Sequence, residues 1–592
     1  MRIPHRLLLL VKPWRPLLTT VADYDRHKLR YDLFAGLTVA IVAVPQSIAY
    51  AFIAGVPPEY GLYTVIIQCF IGSLFNSQPL LSVGPINTQS LLVASTVTRL
   101  VAAGDSAAYL QLVFALTLIK GIVQLVLATA RLGRMVSYVS YSVIVGFTAG
   151  AGVLIAVGQI PTFLGLSVIG RPDYWPGLIG AWQRLAPHLS EINPGVVSVG
   201  LLSLVLVVGC RFISRLVPGP LIAVGAGAAV VALAGGNGGG QFVPDIEPAF
   251  VLTLPRFTAA QFENLLPGAL ALSILGLMEA YSIGKSIAAK TGTRIDANQE
   301  LFSQGMTNFI SSFFGCFPGS GSFSRSALNH YAGARTRFAG VFNAVLVLVI
   351  FVLFAPLAAH IPMASIAAIL FVIAYELVDW RYLIRTTRSN RADAAVCIGT
   401  FLATLFVPLA YAVFVGVFLN IALYLRRASQ LHITEMVQNP AGLFEEHPMS
   451  IRSAKQVRFI QIEGDLFFAL ADQLQNQLAE LGTSGPRVVI FRLKRTHYID
   501  TTVLVVLEQF TRQIQLNGGH IILCGVRPFL MRVLRSFDLI RIIGPANVFE
   551  STHGVFASAR QALHRACELL GGPADIHGLE NSGTNEEWAY EI

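Results

Sequence analysis

Residues 315–329 read GCFPGSGSFSRSALN, from Gly315 to Asn329. They sit among some of the most apolar sequence of the chain, yet Gly, Pro and Ser make the stretch unfit for a plain membrane helix. It also carries Arg325, a cation at every accessible pH. Backbone groups at membrane depth must be satisfied internally, so a break there is tolerated only where protein or a wet cavity receives it. An ionisable residue at that depth is costly and marks function by default. A half-helix beginning after Gly321 aims the first N–H groups of Ser322, Phe323, Ser324 and Arg325, with their partial positive charge, at whatever lies ahead. A structural pairing of Arg325 with Glu279 is the alternative reading, and it is compatible with the first.

A second break lies far upstream. LSVGPINTQSLL (residues 81–92) follows IVAVPQSIAYAF (41–52), which itself reads as a disrupted apolar segment. Gln46 and Pro85 are 39 positions apart, as are Glu279, in LGLMEAYSIGKS (275–286), and Pro318. Paired Gly/Pro-interrupted segments at matching places in two halves point to a binding site. Two half-helix N-termini facing each other, one after Pro85 and one after Gly321, make an anion site without a full charge. Glu279 is the other embedded charge. Desolvation and a nearby arginine act on a carboxyl in opposite senses. Glu279 therefore reads either as a proton carrier or as a fixed counter-charge.

The rest of the chain frames these breaks. Of 592 residues, 54% are hydrophobic and 13% charged, and the mean hydropathy is +0.63. Soluble domains carry about 25% charged residues. Apolar blocks recur from Asp32 to Arg427 in about fourteen segments, several shorter than the ~20 residues of a simple span. The expectation is an all-α polytopic membrane domain (32–427) behind a basic arm (1–31), whose apolar run is too short for a signal peptide. The net charge of +9 gathers at segment ends, as the positive-inside rule requires, so nucleic acid is not an expected partner. Basic clusters such as Arg131/Arg134, Lys285/Lys290/Arg294, Arg335/Arg337 and Arg426/Arg427 fall on one side only if both termini are cytoplasmic. The Gly-rich connection 234–241 separates seven spans from seven. Lys120, in LTLIKGIVQL, reads as a snorkelling side chain.

Six scattered cysteines support neither a disulfide framework nor a zinc site. EAYSIGKS (279–286) mimics the end of a P-loop, but it lacks the first Gly and lies in a span. With no nucleophile–base pair, metal cluster or cofactor loop, an enzyme is not expected. After Arg427, VRFIQIEG, RVVIFRL and HIILCGV read as strands. TTVLVVLEQFTRQIQLNG, PFLMRVLRSF and VFASARQALHRACELLG read as amphipathic helices. That alternation predicts a small α/β domain at 451–572, joined by a linker (428–450) and followed by a disordered tail (573–592).

VPQSIAYAFIAGVPPEYGLY (44–63), VGPINTQS (83–90) and FPGSGSFSRSALN (317–329) together resemble the signatures of the sulfate permease (SulP) family of anion transporters. Residues 278–315 look most like its proton-coupled sulfate transporters. The resemblance implies fourteen spans in two inverted seven-span repeats (about 32–235 and 264–427). It also implies a core that moves against a gate, elevator-fashion, within a homodimer in the inner membrane. The implied anion contacts are Gln46 and Tyr50 on the first span and Pro85 and Ile86 at the third. At the tenth span they are Ser322, Phe323, Ser324 and Arg325. Glu279 matches the acidic position linked to coupling. Sodium-coupled bicarbonate members pair an eighth-span Asp with a Thr one turn later and lack the Arg. Here Ile283 stands one turn after Glu279, which favours protons. The tail resembles a STAS domain, whose regulatory turn appears as Asp500-Thr501-Thr502-Val503. In related bacterial regulators the hydroxyl at the Thr502 position is phosphorylated, whereas the simpler reading of Asp500 is a helix cap.

The function implied is secondary active uptake of an inorganic oxyanion, sulfate foremost, with protons and no cofactor. Bicarbonate and C4-dicarboxylates are the alternatives within transport. A membrane-anchored STAS scaffold or sensor is the alternative of another class, and it has no need of Arg325, Glu279 and two breaks.

Overall fold

The computed structural model describes residues 14–102, 104–134, 139–166, 186–214, 217–234, 240–246, 252–438, 444–449, 456–483, 485–552 and 556–571. The first thirteen residues of the basic arm, most of the Gly-rich connection and the terminal tail lie outside the described residues. The chain divides into two compact units, Met1–Ala422 and Leu423–Ile592.

The first unit is helical. Its first seven helices are α1 (Arg26–Ala54), α2 (Pro58–Phe75), α3 (Asn87–Val97), α4 (Ser106–Thr129), α5 (Tyr141–Leu164), α6 (Pro194–Ile213) and α7 (Gly219–Leu233). The second seven are α8 (Ala259–Thr291), α9 (Ala297–Ser311), α10 (Phe323–Tyr331), α11 (Phe338–Ala358), α12 (Met363–Glu376), α13 (Arg391–Phe406) and α14 (Leu409–Ala428). Short helices at Arg15–Ala22 and Trp380–Ser389 stand outside this series. Among the described residues, eight helical segments are long and apolar enough to cross a membrane. α3 and α10, with 11 and 9 residues, are far too short.

Packing repeats with a shift of seven. α1 packs on α11 as α8 does on α4, and α2 packs on α11 as α9 does on α4. α1 touches α3 and α10, and α8 touches α10 and α3. α5 meets α13 as α12 meets α6. Helices α1–α4 and α8–α11 thus form one body, and α5–α7 with α12–α14 form the other. Close approach inside the first body depends on small residues. A Cβ on Gly121 of α4 would lie 2.5 Å from the Phe309 nitrogen, and one on Gly305 of α9 would lie 2.9 Å from the Leu125 nitrogen.

The long helices α1 and α8 match in their start and stop signals. Asp25 caps α1 by accepting from the Lys28 N–H at 2.7 Å, and Thr258 and Gln261 form a capping box on α8. Gly55 and Gly292 end them in the left-handed conformation, at φ 71° and 69°. Here one expectation is corrected: α1 runs unbroken through Pro45, and Glu279 likewise lies inside an unbroken α8. A proline removes one backbone bond and kinks a long buried helix without ending it. The true breaks are the downstream pair alone.

The second unit is a sheet of strand order β4-β3-β5-β6-β8-β9, with β7 paired to β5. β5 (Val457–Leu466), β6 (Val488–Arg492), β8 (His520–Val526) and β9 (Val548–Glu550) run parallel. β7 is Thr496–Ile499. On one face lie α15 (Ala471–Thr483), α16 (Thr501–Leu516), α17 (Pro528–Ser536) and α18 (Leu539–Ile543); on the other lies α19 (Ala557–Leu570). Both faces are covered, which is why the central strands read as continuous apolar runs.

The segment expected to be a linker carries two more strands. β3 (His432–Gln438) and β4 (Phe444–Pro448) form a hairpin whose first strand pairs antiparallel with β5. Alternation was masked because Glu435 points inward. Its carboxylate holds Arg458 in a bidentate pair, 2.7 Å from Nε and 2.9 Å from Nη2, with both side chains buried. Removing one partner of such a pair costs about 3–5 kcal/mol. Glu435→Ala is therefore expected to loosen this unit, read as faster proteolysis of residues 423–592 in the full chain. An unchanged cleavage rate would contradict it. All six cysteines are free, and burial pushes the Cys524 thiol up to about 12, so it is protonated and unreactive.

Candidate functional site

The two breaks meet. β1 (Val83–Gly84) and β2 (Ser320–Gly321) pair antiparallel, with Val83 opposite Gly321 and Gly84 opposite Ser320. Each strand leads straight into a half-helix, so α3 and α10 start close together and leave in opposite directions. The crossing continues beyond the Val83–Gly321 pair: the Ser322 N–H donates to the Ser82 carbonyl, and the Ser82 N–H to Ser326 Oγ, both at 2.8 Å. Glycine is needed for contact. A Cβ on Gly319 would fall 1.9 Å from Gln68 Oε1, and one on Gly84 would fall 2.9 Å from Arg325 Nη2.

Neither half-helix has its first turn satisfied by a strong cap. Ser322 caps α10 with a long 3.4 Å contact from the Arg325 N–H. Ile86 caps α3 with extended backbone and no side-chain bond. In α3 the Thr88 N–H is taken by the Asn87 side chain at 2.8 Å; the other opening N–H groups have no backbone acceptor within their helix, and both dipoles converge on the crossing.

Arg325 lies in the first turn of α10, with 0% of its surface exposed. Its Nη1 donates to the Pro85 carbonyl at 3.0 Å, while Nε and Nη2 have no partner. Among the described residues, no carboxylate forms an ion pair with it. The alternative pairing with Glu279 is not formed. Glu279 instead accepts from Thr88 Oγ1 on Oε1 at 2.6 Å, and its Oε2 is left without a partner. The cation thus sits at one break's backbone, and the carboxyl is held by the helix that follows.

The other sequence candidates are distributed around this centre. Gln46 and Tyr50 stand one turn apart on α1, both buried, and Gln46 Oε1 is unpartnered. Ile86 is buried, whereas Phe323, 66% exposed, turns outward beside exposed Ser324. Position 323 therefore contributes its backbone to the centre, and its ring stands at the rim.

Lys120 is a correction. It does not snorkel: it is 0% exposed, and Nζ donates to Gln89 Oε1 at 2.7 Å and to the Gly319 carbonyl at 2.6 Å. The same carbonyl accepts from Asn308 Nδ2 at 3.3 Å. The signal available in the sequence was the polar stripe Thr117, Lys120, Gln124 on one face of α4. In the second unit, Asp500 caps α16 by accepting from the Val503 N–H at 3.0 Å, and Thr502 is exposed in that first turn.

The arrangement offers an oxyanion two free guanidinium donors and two helix N-termini, with a carboxyl nearby that has one open oxygen. Such a centre binds and exchanges charge. It holds no nucleophile poised against a base.

The sequence and the fold are shared with known proteins. The chain matches the sulfate permease family over residues 29–400 and the STAS domain over 449–555. It is 30% identical over 540 residues to the putative sulfate transporter YvdB of Bacillus subtilis, covering 89% of this chain and 97% of that protein. The fold resembles that of the murine Solute Carrier 26 family member A9 anion transporter, with a TM-score of 0.83 and 20% identity, covering 93% of this chain and 94% of the other. It also resembles the transmembrane domain of the cyanobacterial bicarbonate transporter BicA. There the TM-score is 0.59 and the identity 27%, with 66% of this chain and 98% of that one covered. The chain belongs to the sulfate permease family, and it is accordingly a membrane transporter and not an enzyme.

Proposed function

We propose that this protein takes up an inorganic oxyanion, sulfate before others, together with protons. The observation that carries the reading is Arg325: a fully buried guanidinium with Nε and Nη2 unpartnered, set against two half-helix N-termini. An unpaired buried charge is strongly destabilising, so the centre is built for an anionic partner that comes and goes. Arg325, the Ser322 hydroxyl and the N–H groups of Phe323 and Ser324 bind the anion from one side. The α3 terminus at Pro85 and Ile86 binds from the other, with Gln46 and Tyr50 closing the site from α1. Glu279 carries the proton.

Protons are favoured over sodium because the position one turn after Glu279 is Ile283, a buried apolar side chain that offers no oxygen. The relative named as a sulfate transporter supports the substrate, and the likeness to BicA keeps bicarbonate as the second candidate. The body α1–α4 with α8–α11 moves as the core against α5–α7 with α12–α14, in a homodimer of the inner membrane with cytoplasmic termini. The transport domain is placed at 32–427, and the STAS domain is extended from 451–572 to take in the β3–β4 hairpin. Asp500 acts as a cap there, with Thr502 the candidate for phosphorylation.

Binding calorimetry on the purified protein tests the substrate. Sulfate is expected to bind, and bicarbonate and succinate to compete weakly or not at all. Tighter bicarbonate binding would reverse the order.

A further inference from the structure

We propose that Lys120 is a tethered cation: its ammonium permanently fills a pocket of oxygen acceptors that would otherwise take a small free cation. The proposal rests on the transport reading above. The pocket is made of Gln89 Oε1 from α3 and the Gly319 carbonyl from the non-helical strap before β2. α8 closes it. A Cβ on Gly276, one turn before Glu279, would lie 3.4 Å from Lys120 Nζ.

The strap supplies carbonyls because it is not helical, and α4 collects them. Thr117 donates to the Cys316 carbonyl at 3.0 Å, one turn before Lys120 takes Gly319. Gln124, one turn after, donates to the Ser273 carbonyl at 3.4 Å and accepts from Asn308 at 3.3 Å. Around the ammonium, α3 and α9 present the neutral Gln89, Thr88 and Asn308, and α8 presents Glu279. Lys120 and Glu279 are not bonded to each other.

The link between them runs through neighbouring residues of α3: Gln89 holds the ammonium and Thr88 holds Glu279. With Glu279 ionised, Lys120 balances it and Arg325 leaves the centre one positive charge. With Glu279 protonated, two positive charges remain, which matches a divalent oxyanion. A fixed ammonium sets this balance without recruiting an alkali ion. Lys120 is thus a positioning residue, acting through the strap and through α3.

Lys120→Ala leaves the oxygens and empties their centre. Because a ligand that binds the folded state raises its unfolding temperature, the purified full chain is heated in detergent with sodium, methylammonium or choline chloride at equal ionic strength. Lys120→Ala is expected to gain thermal stability from sodium or methylammonium and none from choline, while the unaltered protein responds to none of them. In proteoliposomes the same variant is expected to lose at least tenfold in sulfate uptake and to regain part of it with methylammonium. Equal thermal responses in variant and parent would overturn the proposal, as would a folded variant that no cation stabilises. Should Lys120→Ala not fold, Lys120→Ser carries the same test, its hydroxyl being too short to reach the strap. If the unaltered protein takes up no sulfate, the transport reading fails on that arm, while the heating experiment still decides the cation pocket.

Discussion

Arg325→Ala is expected to weaken sulfate binding by about two to three orders of magnitude. The guanidinium offers two unpartnered donors, and each hydrogen bond to a charged group contributes about 1.5–3 kcal/mol. Two of them sum to at least about 3 kcal/mol, where every ~1.4 kcal/mol is tenfold in affinity. The α3 and α10 termini remain, so some binding survives. Arg325→Lys is expected to recover only a minor part, because one ammonium does not reproduce a planar fork that holds the Pro85 carbonyl and an anion together. Calorimetry on protein shown to be folded by its thermal transition checks both variants. An Arg325→Ala protein that binds within threefold of the parent would mean that the helix termini alone make the site, with Arg325 a scaffold for Pro85.

The second large effect concerns energy coupling. Glu279→Gln keeps an acceptor for Thr88 and fixes the neutral form, so the variant resembles the protonated carboxyl on both sides of the membrane. Each pH unit of gradient is worth about 1.4 kcal/mol per proton, or about tenfold accumulation for one coupled proton. The parent is expected to concentrate sulfate by that factor under an inward gradient of one unit. The variant is expected to bind sulfate normally and to equilibrate it, with an accumulation ratio near one whatever the gradient. The direction follows from the carboxyl being loaded on the acidic side and discharged on the other. Accumulation intact in Glu279→Gln would assign the proton to another group and leave this carboxyl a structural partner of Thr88.

The centre was legible where composition contradicts its surroundings. Gly, Pro and Ser around an arginine in apolar sequence have few uses other than a broken helix, and the 3.0 Å bond from Arg325 to the Pro85 carbonyl places both breaks at one point. The second unit's central strands and its helices at 501, 528 and 557 were legible for a like reason, since each carries its own periodicity. Lys120 was misread because its decisive partner, the Gly319 carbonyl, lies 199 positions away and belongs to backbone, which has no sequence signal of its own. The β3–β4 hairpin was missed because a buried Glu435 breaks the alternation that marks a strand, and only the bidentate Arg458 makes that burial tolerable. Pro45 was over-read, since a proline in a 29-residue helix with close neighbours removes one backbone bond and does not end it. The outward turn of Phe323 depends on the local register of α10, which short helices do not reveal through periodicity.

The most direct measurement is labelled sulfate uptake into proteoliposomes of the purified protein, with and without an inward proton gradient and with sodium present or absent. Gradient-driven accumulation that ignores sodium is the expected result, and it would establish proton-coupled sulfate uptake through the centre at Arg325 and Glu279. Folded protein that accumulates no sulfate under the gradient, or does so only with sodium, would contradict it.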